Sequence, residues 1–157
     1  MNTSKKNYPV IQNKKAKFNY EFIETYVAGI ILRGTEIKSI RSGKASLVDS
    51  YCYVTESGEM MAVNTYVARY DKQSVTLNHE ERRERKLLLN KKEIKHLASE
   101  AKNPSMTIVP VKMFINETGL CKVLIALARG KKEYDKRETI KERDSNRMLD
   151  RIQKNYK

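Results

Sequence analysis

The chain is poor in residues that cross-link or interrupt a small protein: it has no tryptophan, two cysteines, three prolines and two histidines among 157 residues. Cys52 and Cys121 each lie in an apolar, strand-like run, and neither has a His or Cys neighbour at the spacing of zinc ligands. We therefore expect two reduced thiols in the core of a cytoplasmic protein that holds no metal and no other cofactor.

Motifs of common enzyme classes are also missing. The sequence contains no GxxxxGK followed by Ser or Thr, and no GxGxxG after a strand. His79 and His96 are scattered, and acids such as Glu36 and Asp49 do not form the paired patterns of a metal-dependent nuclease. These absences predict that the protein is not an enzyme.

Long hydrophobic runs are lacking, whereas positive charge is abundant. No apolar stretch approaches the ~18 residues of a membrane span, and the N-terminus lacks the hydrophobic region of a secretory signal. The net charge of +13 is concentrated in residues 1–17 and in the segment from Arg129 onward, which carry +5 each. Two basic arms on a nearly balanced body favour a nucleic acid, because neutralised phosphates release counterions. A membrane is less favoured, since neither basic arm has a clear apolar face.

The most distinctive segment is the C-terminal one, residues 130–157. It is rich in Lys, Arg, Asp and Glu, and its only aliphatic residues are Ile140, Met148, Leu149 and Ile152. Such a segment buries too little apolar surface to offset its ordering entropy, so it should be disordered when free. Its residues nevertheless favour helix, which is typical of an arm that folds on RNA. A solvated helix without a partner is the alternative.

The first half of the body has the composition of β-strands. Phe18–Leu32 is rich in β-branched and aromatic residues, with a bulge or bend expected at Gly29. Thr35–Arg41 has helical spacing, and Gly43 could end that helix. Two further strands are expected at Leu47–Val54 and Met60–Val67, followed by a polar loop at Asp71–Arg85.

The second half predicts one helix and a β-hairpin. Asn90 and Glu93 have the spacing of a capping box, and Ile94, Leu97, Ala98 and Ala101 form one apolar face before Pro104 ends the helix. The expected hairpin strands are Thr107–Ile115 and Leu120–Leu127. Two sets are expected to point inward: Val109, Val111, Met113 and Ile115, and Cys121, Val123, Ile125 and Leu127. Pro110 should interrupt its strand ladder. Five or six antiparallel strands with few helices favour a small OB-type barrel.

Basic side chains cluster at three places in this body: Lys38, Arg41 and Lys44 around the first helix; Arg82, Arg83, Arg85 and Lys86 before Leu87; and Lys122 on the last strand, opposite the core set. Each cluster alone is typical of a solvated face. Their occurrence together with two basic arms favours RNA binding.

Seven fragments in the right order resemble small protein B, the bacterial tmRNA (SsrA)-binding protein family, over nearly the whole chain. They are Asn13–Ala16, Ala28–Gly29, Gly34–Arg41, Gly43–Ala45, Asp49–Tyr51, Arg85–Asn90 and the tail pattern from Gly130 through Asp135 to Arg143. The resemblance implies an OB-like closed antiparallel barrel with flanking helices. It also implies three regions: a basic arm at 1–17, an RNA-binding barrel at 18–129 and a basic tail at 130–157.

The resemblance also implies a function. The protein would bind the tRNA-like domain of tmRNA and, with elongation factor Tu, deliver it to stalled ribosomes for trans-translation, in which the nascent chain is tagged and the ribosome rescued. The tail would occupy the decoding site and the mRNA channel and become helical there. A structural ribosomal protein, with basic arms threaded into rRNA, is the alternative.

The resemblance assigns two sets of residues. The implied tmRNA-binding residues are Asn13, Lys14, Glu36, Lys38, Arg41, Lys44, Arg85, Lys86, Leu88, Asn90 and Lys122. The implied ribosome-binding residues are Gly130, Lys131, Lys132, Tyr134, Asp135, Lys136, Arg137, Lys141 and Arg143. Glu36 could accept a hydrogen bond from RNA or pair internally with Lys38 or Arg41, and both alternatives stay open. Tyr134 stands where the family often has His, so stacking is expected there but no cationic role.

Overall fold

The computed structural model describes residues 7–132, 136–137, 140–144 and 147–148. The strands in this part are β1 Ile11–Gln12, β2 Tyr20–Ile30, β3 Ala45–Ser46, β4 Tyr51–Val54, β5 Met60–Val63, β6 Tyr66–Val67, β7 Arg85–Leu88, β8 Met106–Ile115 and β9 Cys121–Gly130. The helices are α1 Lys14–Asn19, α2 Gly34–Arg41 and α3 Lys91–Glu100, with a short 3-10 helix at Val75–Leu77.

The main sheet is antiparallel and has seven strands in the order β1-β8-β4-β5-β7-β2-β9. β8 pairs with β9 as well, and β3 pairs with β6 in a separate two-stranded sheet. The expectation of a mainly β protein with a few helices is confirmed. No helix in the described part is long and apolar enough to cross a membrane.

β2 is the longest strand of the main sheet, and it continues through Gly29. Gly29 lies opposite Leu88 of β7 and Lys122 of β9, in an uninterrupted ladder. The irregularity lies earlier instead, between Phe22 and Glu24. The bulge or bend predicted at Gly29 is therefore wrong, because Gly29 lies in a regularly paired part of β2. Its lack of a side chain instead leaves the strand backbone uncovered between Leu88 and Lys122.

A residue in the left-handed region interrupts each of two predicted strands. Asp49, with φ 63°, lies before β4, which occupies only the second half of the predicted strand Leu47–Val54. Asn64, with φ 62°, separates β5 from β6 within Met60–Val67. Asp and Asn adopt this conformation at lower cost than most residues, because their short polar side chains hydrogen-bond locally. Continuous strands were therefore the wrong interpretation of both segments.

Both predicted helices are present. α2 ends in a Schellman motif, in which the Gly43 and Lys44 amides donate to the carbonyls of Ile40 and Ser39, and Gly43 has φ 75°. α3 follows Asn90 as predicted, but the Asn90 side chain makes no capping hydrogen bond to the backbone. Leu97 is the buried residue of its apolar face.

The hairpin of β8 and β9 is confirmed, with a register shift between Pro110 and Lys112. Pro110 has no amide hydrogen to donate, which explains why the ladder breaks there. Because of the shift, Val109 and Val111 leave the main core and pack with Ala16, Ala126 and Ala128 in a smaller cluster below α1. The prediction that Val109 and Val111 align inward with Met113 is therefore wrong.

The main core contains Met113, Cys121, Val123, Ile125 and Leu127, together with residues of the other strands and of the helices α2 and α3. Both cysteines are free and buried, and burial raises the pKa of each thiol to about 12. Reduced core thiols are confirmed. Several elements were not predicted: α1, the short strands β1 and β3, the 3-10 helix at Val75–Leu77, and the strand β7 that begins at Arg85 inside the expected loop.

Candidate nucleic-acid interface

The outer face of β2 forms a shallow shelf with its two neighbouring strands. Gly29 lies between Leu88 and Lys122, and a Cβ on Gly29 would lie 3.4 Å from Leu88 Cβ and 3.6 Å from Lys122 Nζ. Leu88 is 51% exposed; Val27 of β2 and Ile31, the residue just after β2, are exposed on either side of Gly29. We call Val27, Gly29, Ile31, Leu88 and Lys122 the β2 shelf.

The β2 shelf combines the chemistry that RNA recognition requires. Its aliphatic side chains can pack against a base or ribose, and the Lys122 ammonium can pair with a phosphate. Gly29 leaves the strand backbone bare between Leu88 and Lys122, so a ligand can approach closely there. The structure thus brings together two implied tmRNA-binding residues that are 34 positions apart in the sequence.

α2 is joined to β7 by a buried ion-pair network around Glu36. The Glu36 carboxylate accepts hydrogen bonds from Arg85 Nε, from Arg83 and, at 2.8 Å, from the Arg33 amide. Arg85 donates further to the carbonyls of Thr65, Arg83 and Glu81 at 2.7–3.2 Å. Glu36 and Arg85 are both 0% exposed. The two charges are buried together, and each is the partner of the other.

Burial and ion pairing act in opposite directions on Glu36. Burial alone would raise the pKa of its carboxyl, but the hydrogen bonds from Arg83 and Arg33 and the charge of Arg85 outweigh it and lower the pKa. Burial lowers the pKa of Arg85, and Glu36 opposes that shift. Glu36 is therefore ionised near neutral pH, and the pair Glu36–Arg85 is a fixed electrostatic link between α2 and the strand that carries Leu88.

The internal pairing of Glu36 corrects two expectations. Glu36 and Arg85 were both implied to bind tmRNA, yet neither exposes any surface to a ligand. The internal alternative holds instead, with Arg83 and Arg85 rather than Lys38 or Arg41 as the partners of Glu36. We therefore assign Glu36 and Arg85 to positioning α2 and β7 and not to direct contact.

Asn13 requires the same correction. It is 2% exposed; its side-chain oxygen accepts from the Ala16 amide to cap α1, and its side-chain nitrogen donates to the carbonyls of Leu47 and Pro110 at 3.1 and 2.9 Å. Asn13 thus fastens α1 to two distant segments, and Lys14, the next residue, is exposed on α1.

The cations of α2 remain exposed and rest against tyrosine rings. Lys38 Nζ lies 5.1 Å from the centre of the Tyr70 ring, and the Arg41 guanidinium lies 5.6 Å from that of Tyr8. Lys44 pairs with Asp71 at 3.7 Å. These contacts hold three long side chains in place while leaving their charged ends accessible to phosphates.

Two further implied residues lie on β7 and just beyond it. Lys86 pairs with Glu59 at 3.3 Å, and Asn90 is exposed immediately before α3. Because side chains alternate along a strand, Lys86 and Leu88 share the outer face of β7, whereas Arg85 and Leu87 point inward. The accessible implied residues therefore lie on α1, on α2 and on the outer faces of β7 and β9.

The tail begins where β9 ends. The Lys131 amide donates to the Asn19 carbonyl at 2.8 Å, so Gly130 and Lys131 still follow the body. Residues 136–137, 140–144 and 147–148 are helical, which places Lys136, Arg137, Lys141 and Arg143 in helix, and the Arg143 guanidinium lies 5.6 Å from the Phe18 ring centre. Tyr134 and Asp135 lie outside the described residues.

Sequence reasoning missed Val27, Gly29 and Ile31 as part of the site. Their spacing of two residues indicates a shared strand face, but only the register of β2 against β7 and β9 shows that this face carries Leu88 and Lys122. Within the described ranges, no group of three His, Cys, Asp or Glu side chains could hold a metal ion.

Known proteins resemble the chain along most of its length. The family model described as SmpB protein matches residues 10–155. The SsrA-binding protein of Phocaeicola vulgatus is 61% identical over 142 residues, which cover 90% of this chain and 93% of the relative. That of Christiangramia forsetii is 52% identical over 152 residues, covering 97% and 96%.

A solved structure agrees with this similarity. It is described as "tmRNA-SmpB: a journey to the center of the bacterial ribosome", and its matching chain is 46% identical, with a TM-score of 0.68 over 80% of this chain and 86% of the other. Sequence and fold therefore lead to the same group of proteins.

Proposed function

The chain belongs to the SmpB protein family, and from this premise we propose that it is an RNA-binding adaptor for ribosome rescue. It binds the tRNA-like domain of tmRNA and delivers that RNA to stalled ribosomes for trans-translation. The observation that carries the proposal is the β2 shelf, where a bare glycine lies between exposed Leu88 and Lys122. The chain acts by binding and positioning RNA, in the cytoplasm, without catalysis and away from membranes.

We propose that the body is an OB-like closed barrel. Support comes from the pairing order, in which β8, β4, β5, β7, β2 and β9 follow one another and β9 pairs again with β8. OB-type barrels commonly bind nucleic acid on the face of their strands. The RNA would contact the β2 shelf, with Lys14, Lys38, Arg41, Lys44, Lys86 and Asn90 around it holding phosphates or sugars.

The buried network gives this surface its rigidity. Glu36 and Arg85 join α2 to β7, so the α2 cations and Leu88 keep a fixed spacing. Asn13 does the same for α1. A preformed surface loses less conformational entropy on binding RNA than one assembled on contact.

The tail, residues 130–157, has a different role in the proposal. Residues 131–137 enter the decoding site, with Tyr134 stacking on an rRNA base, and Gly130 at the end of β9 precedes them as a further ribosome-binding residue. Lys141 and Arg143 face the RNA walls of the empty mRNA channel. The tail's described residues 140–144 and 147–148 are helical and exposed, so little packing on the body holds them and their side chains are available to bind along the channel. Elongation factor Tu accompanies the complex during delivery.

One fractionation experiment separates this function from a structural ribosomal protein. Ribosomes are isolated from cells and washed in high salt, and both chain and tmRNA are quantified in each fraction. An adaptor is expected in the wash together with tmRNA and in far fewer copies than ribosomes, because phosphate contacts weaken steeply with salt. Retention at one copy per ribosome, without tmRNA, would instead identify a structural component.

A further inference from the structure

The loop between β6 and β7 exposes two aliphatic side chains at its tip. Val75 is 76% and Leu77 is 68% exposed, more than any other large apolar residue in the described part of the chain. They flank Thr76 in the short 3-10 helix and are otherwise surrounded by polar residues. Isolated apolar residues on a surface are ordinary, but two on one tip need a fixed support before they can form a binding element.

The base of this loop is held in place from two directions. The Asn78 side chain accepts from the Tyr70 amide at 3.0 Å and donates to the Tyr70 carbonyl at 2.8 Å, which closes the loop on itself. His79 is 1% exposed, with Nε2 2.9 Å from the Val67 carbonyl oxygen and Nδ1 2.8 Å from the Thr35 hydroxyl. Because a carbonyl only accepts, Nε2 donates to Val67, and Nδ1 shares a hydrogen bond with the Thr35 hydroxyl.

The same loop adjoins the cations of α2. Tyr70, at its start, carries Lys38 over its ring, and Asp71 pairs with Lys44. Thr35, which holds His79, belongs to α2 itself. The base of the loop is thus attached to α2, and the loop's first residues lie beside Lys38 and Lys44, which are proposed to contact phosphates.

We propose that residues 71–78 form an apolar finger that enters a loop of the bound RNA, where Val75 and Leu77 pack against the faces of unpaired bases. Apolar side chains used as wedges against nucleic-acid bases are a known mode of binding, and RNA offers such bases in its loops. The cations beside the finger favour RNA over an apolar protein surface. This inference rests on the proposed function and adds a contact that does not depend on charge.

A salt titration of binding separates the finger from the phosphate contacts. The full chain carrying Val75→Ser and Leu77→Ser is expected to bind the tRNA-like domain at least tenfold more weakly, with an unchanged slope of log affinity against log salt. Lys38→Ala should instead reduce that slope, because binding with one phosphate contact fewer releases fewer counterions. A 2-aminopurine placed in each RNA loop in turn should change its fluorescence with the wild-type chain and not with the double variant.

Two controls make the outcome decisive. Met148→Ser, in the tail, removes an apolar side chain of nearly equal exposure, 66%, and should leave affinity unchanged. Val75→Ile with Leu77→Met keeps the finger apolar and should retain binding. Unchanged RNA affinity in the variant carrying Val75→Ser and Leu77→Ser would contradict the proposed finger. Normal RNA binding by that variant together with the loss of a protein partner would contradict it as well. Failure of the wild-type chain to bind this RNA at all would overturn the proposed function instead.

Discussion

At the scale of single residues, Glu36 forms the buried ion pairs of the described body. It is fully buried and accepts from Arg83, Arg85 and the Arg33 amide. Removing one partner of a buried ion pair typically costs about 3–5 kcal/mol, because the other charge is left uncompensated. The exposed pair Lys86–Glu59, by contrast, falls in the class worth about 0–1 kcal/mol.

Glu36→Gln should therefore destabilise the fold by about 3–5 kcal/mol at pH 7, whereas Glu59→Gln should change stability by less than about 1 kcal/mol. The folded-state pKa of Glu36 lies below 4.5, so its contribution is present above pH 4.5 and is lost as the pH falls through the lowered pKa. Urea unfolding at pH 7 and at steps down to pH 3 measures both effects. The wild type and Glu36→Gln should converge in acid; a constant difference across the series would contradict this account.

Gly29 is the residue whose missing side chain opens the β2 shelf. Gly29→Val should fold about as stably as the wild type, because a β-branched residue suits a strand and a Cβ there would make only ordinary van der Waals contacts with Leu88 and Lys122. Its methyl groups would occupy the space between Leu88 and Lys122, so affinity for the tRNA-like domain should fall more than tenfold. Thr25→Val, on the same face of β2, is the control. Full binding by Gly29→Val would show that RNA does not use the shelf.

At the scale of elements, local sequence patterns predicted α2 and the β8–β9 hairpin, which local contacts stabilise. α2 follows from the spacing of Ile37 and Ile40, and the Schellman hydrogen bonds around Gly43 that close it reach at most five residues back. The β8–β9 hairpin likewise follows from alternation around a turn. α1 is different, because Asn13 holds it through the carbonyls of Leu47 and Pro110, which are 34 and 97 residues away. No local pattern contains that information.

Contacts between residues far apart in the sequence also explain why local patterns could not predict the candidate site. Arg85 has the sequence signature of a solvated loop because its partner Glu36 is 49 residues away. Leu88 and Lys122 were implied by family resemblance, whereas Gly29 joins them only through the register of three strands. Sequence therefore predicted which residue types the candidate interface contains, and the tertiary structure was needed to separate the accessible side chains from the buried ones that position them.

The tail is an element that should act on the ribosome without contributing to tmRNA affinity. Asp135, Lys136 and Arg137 changed together to Ala should leave binding of the tRNA-like domain unchanged, because the proposed contact surface lies on the body. Tagging of chains stalled on non-stop messages should be lost, since these residues are proposed to enter the decoding site. Binding and tagging are measured on the same preparation. Normal tagging, or a parallel loss of affinity, would contradict this division.

At the scale of the whole molecule, β9 separates the two proposed activities. Lys122 lies near its start on the β2 shelf, and Gly130 ends it at the beginning of the tail. Eight residues of extended strand span about 26 Å, so RNA on the shelf and the first residues of the tail are far enough apart to act independently. Positive charge is divided in the same way, with +5 in the segment from Arg129 and a nearly balanced body.

The central claim is that the folded body alone binds the tRNA-like domain, and one comparison tests it directly. The dissociation constant of a chain ending at Lys132, which keeps β9 and the Lys131–Asn19 hydrogen bond, is measured against that of the full chain over a series of salt concentrations. The two affinities should agree within tenfold, about 1.4 kcal/mol, and both should fall steeply with salt. A larger loss in the shortened chain, or affinity that does not respond to salt, would contradict the account.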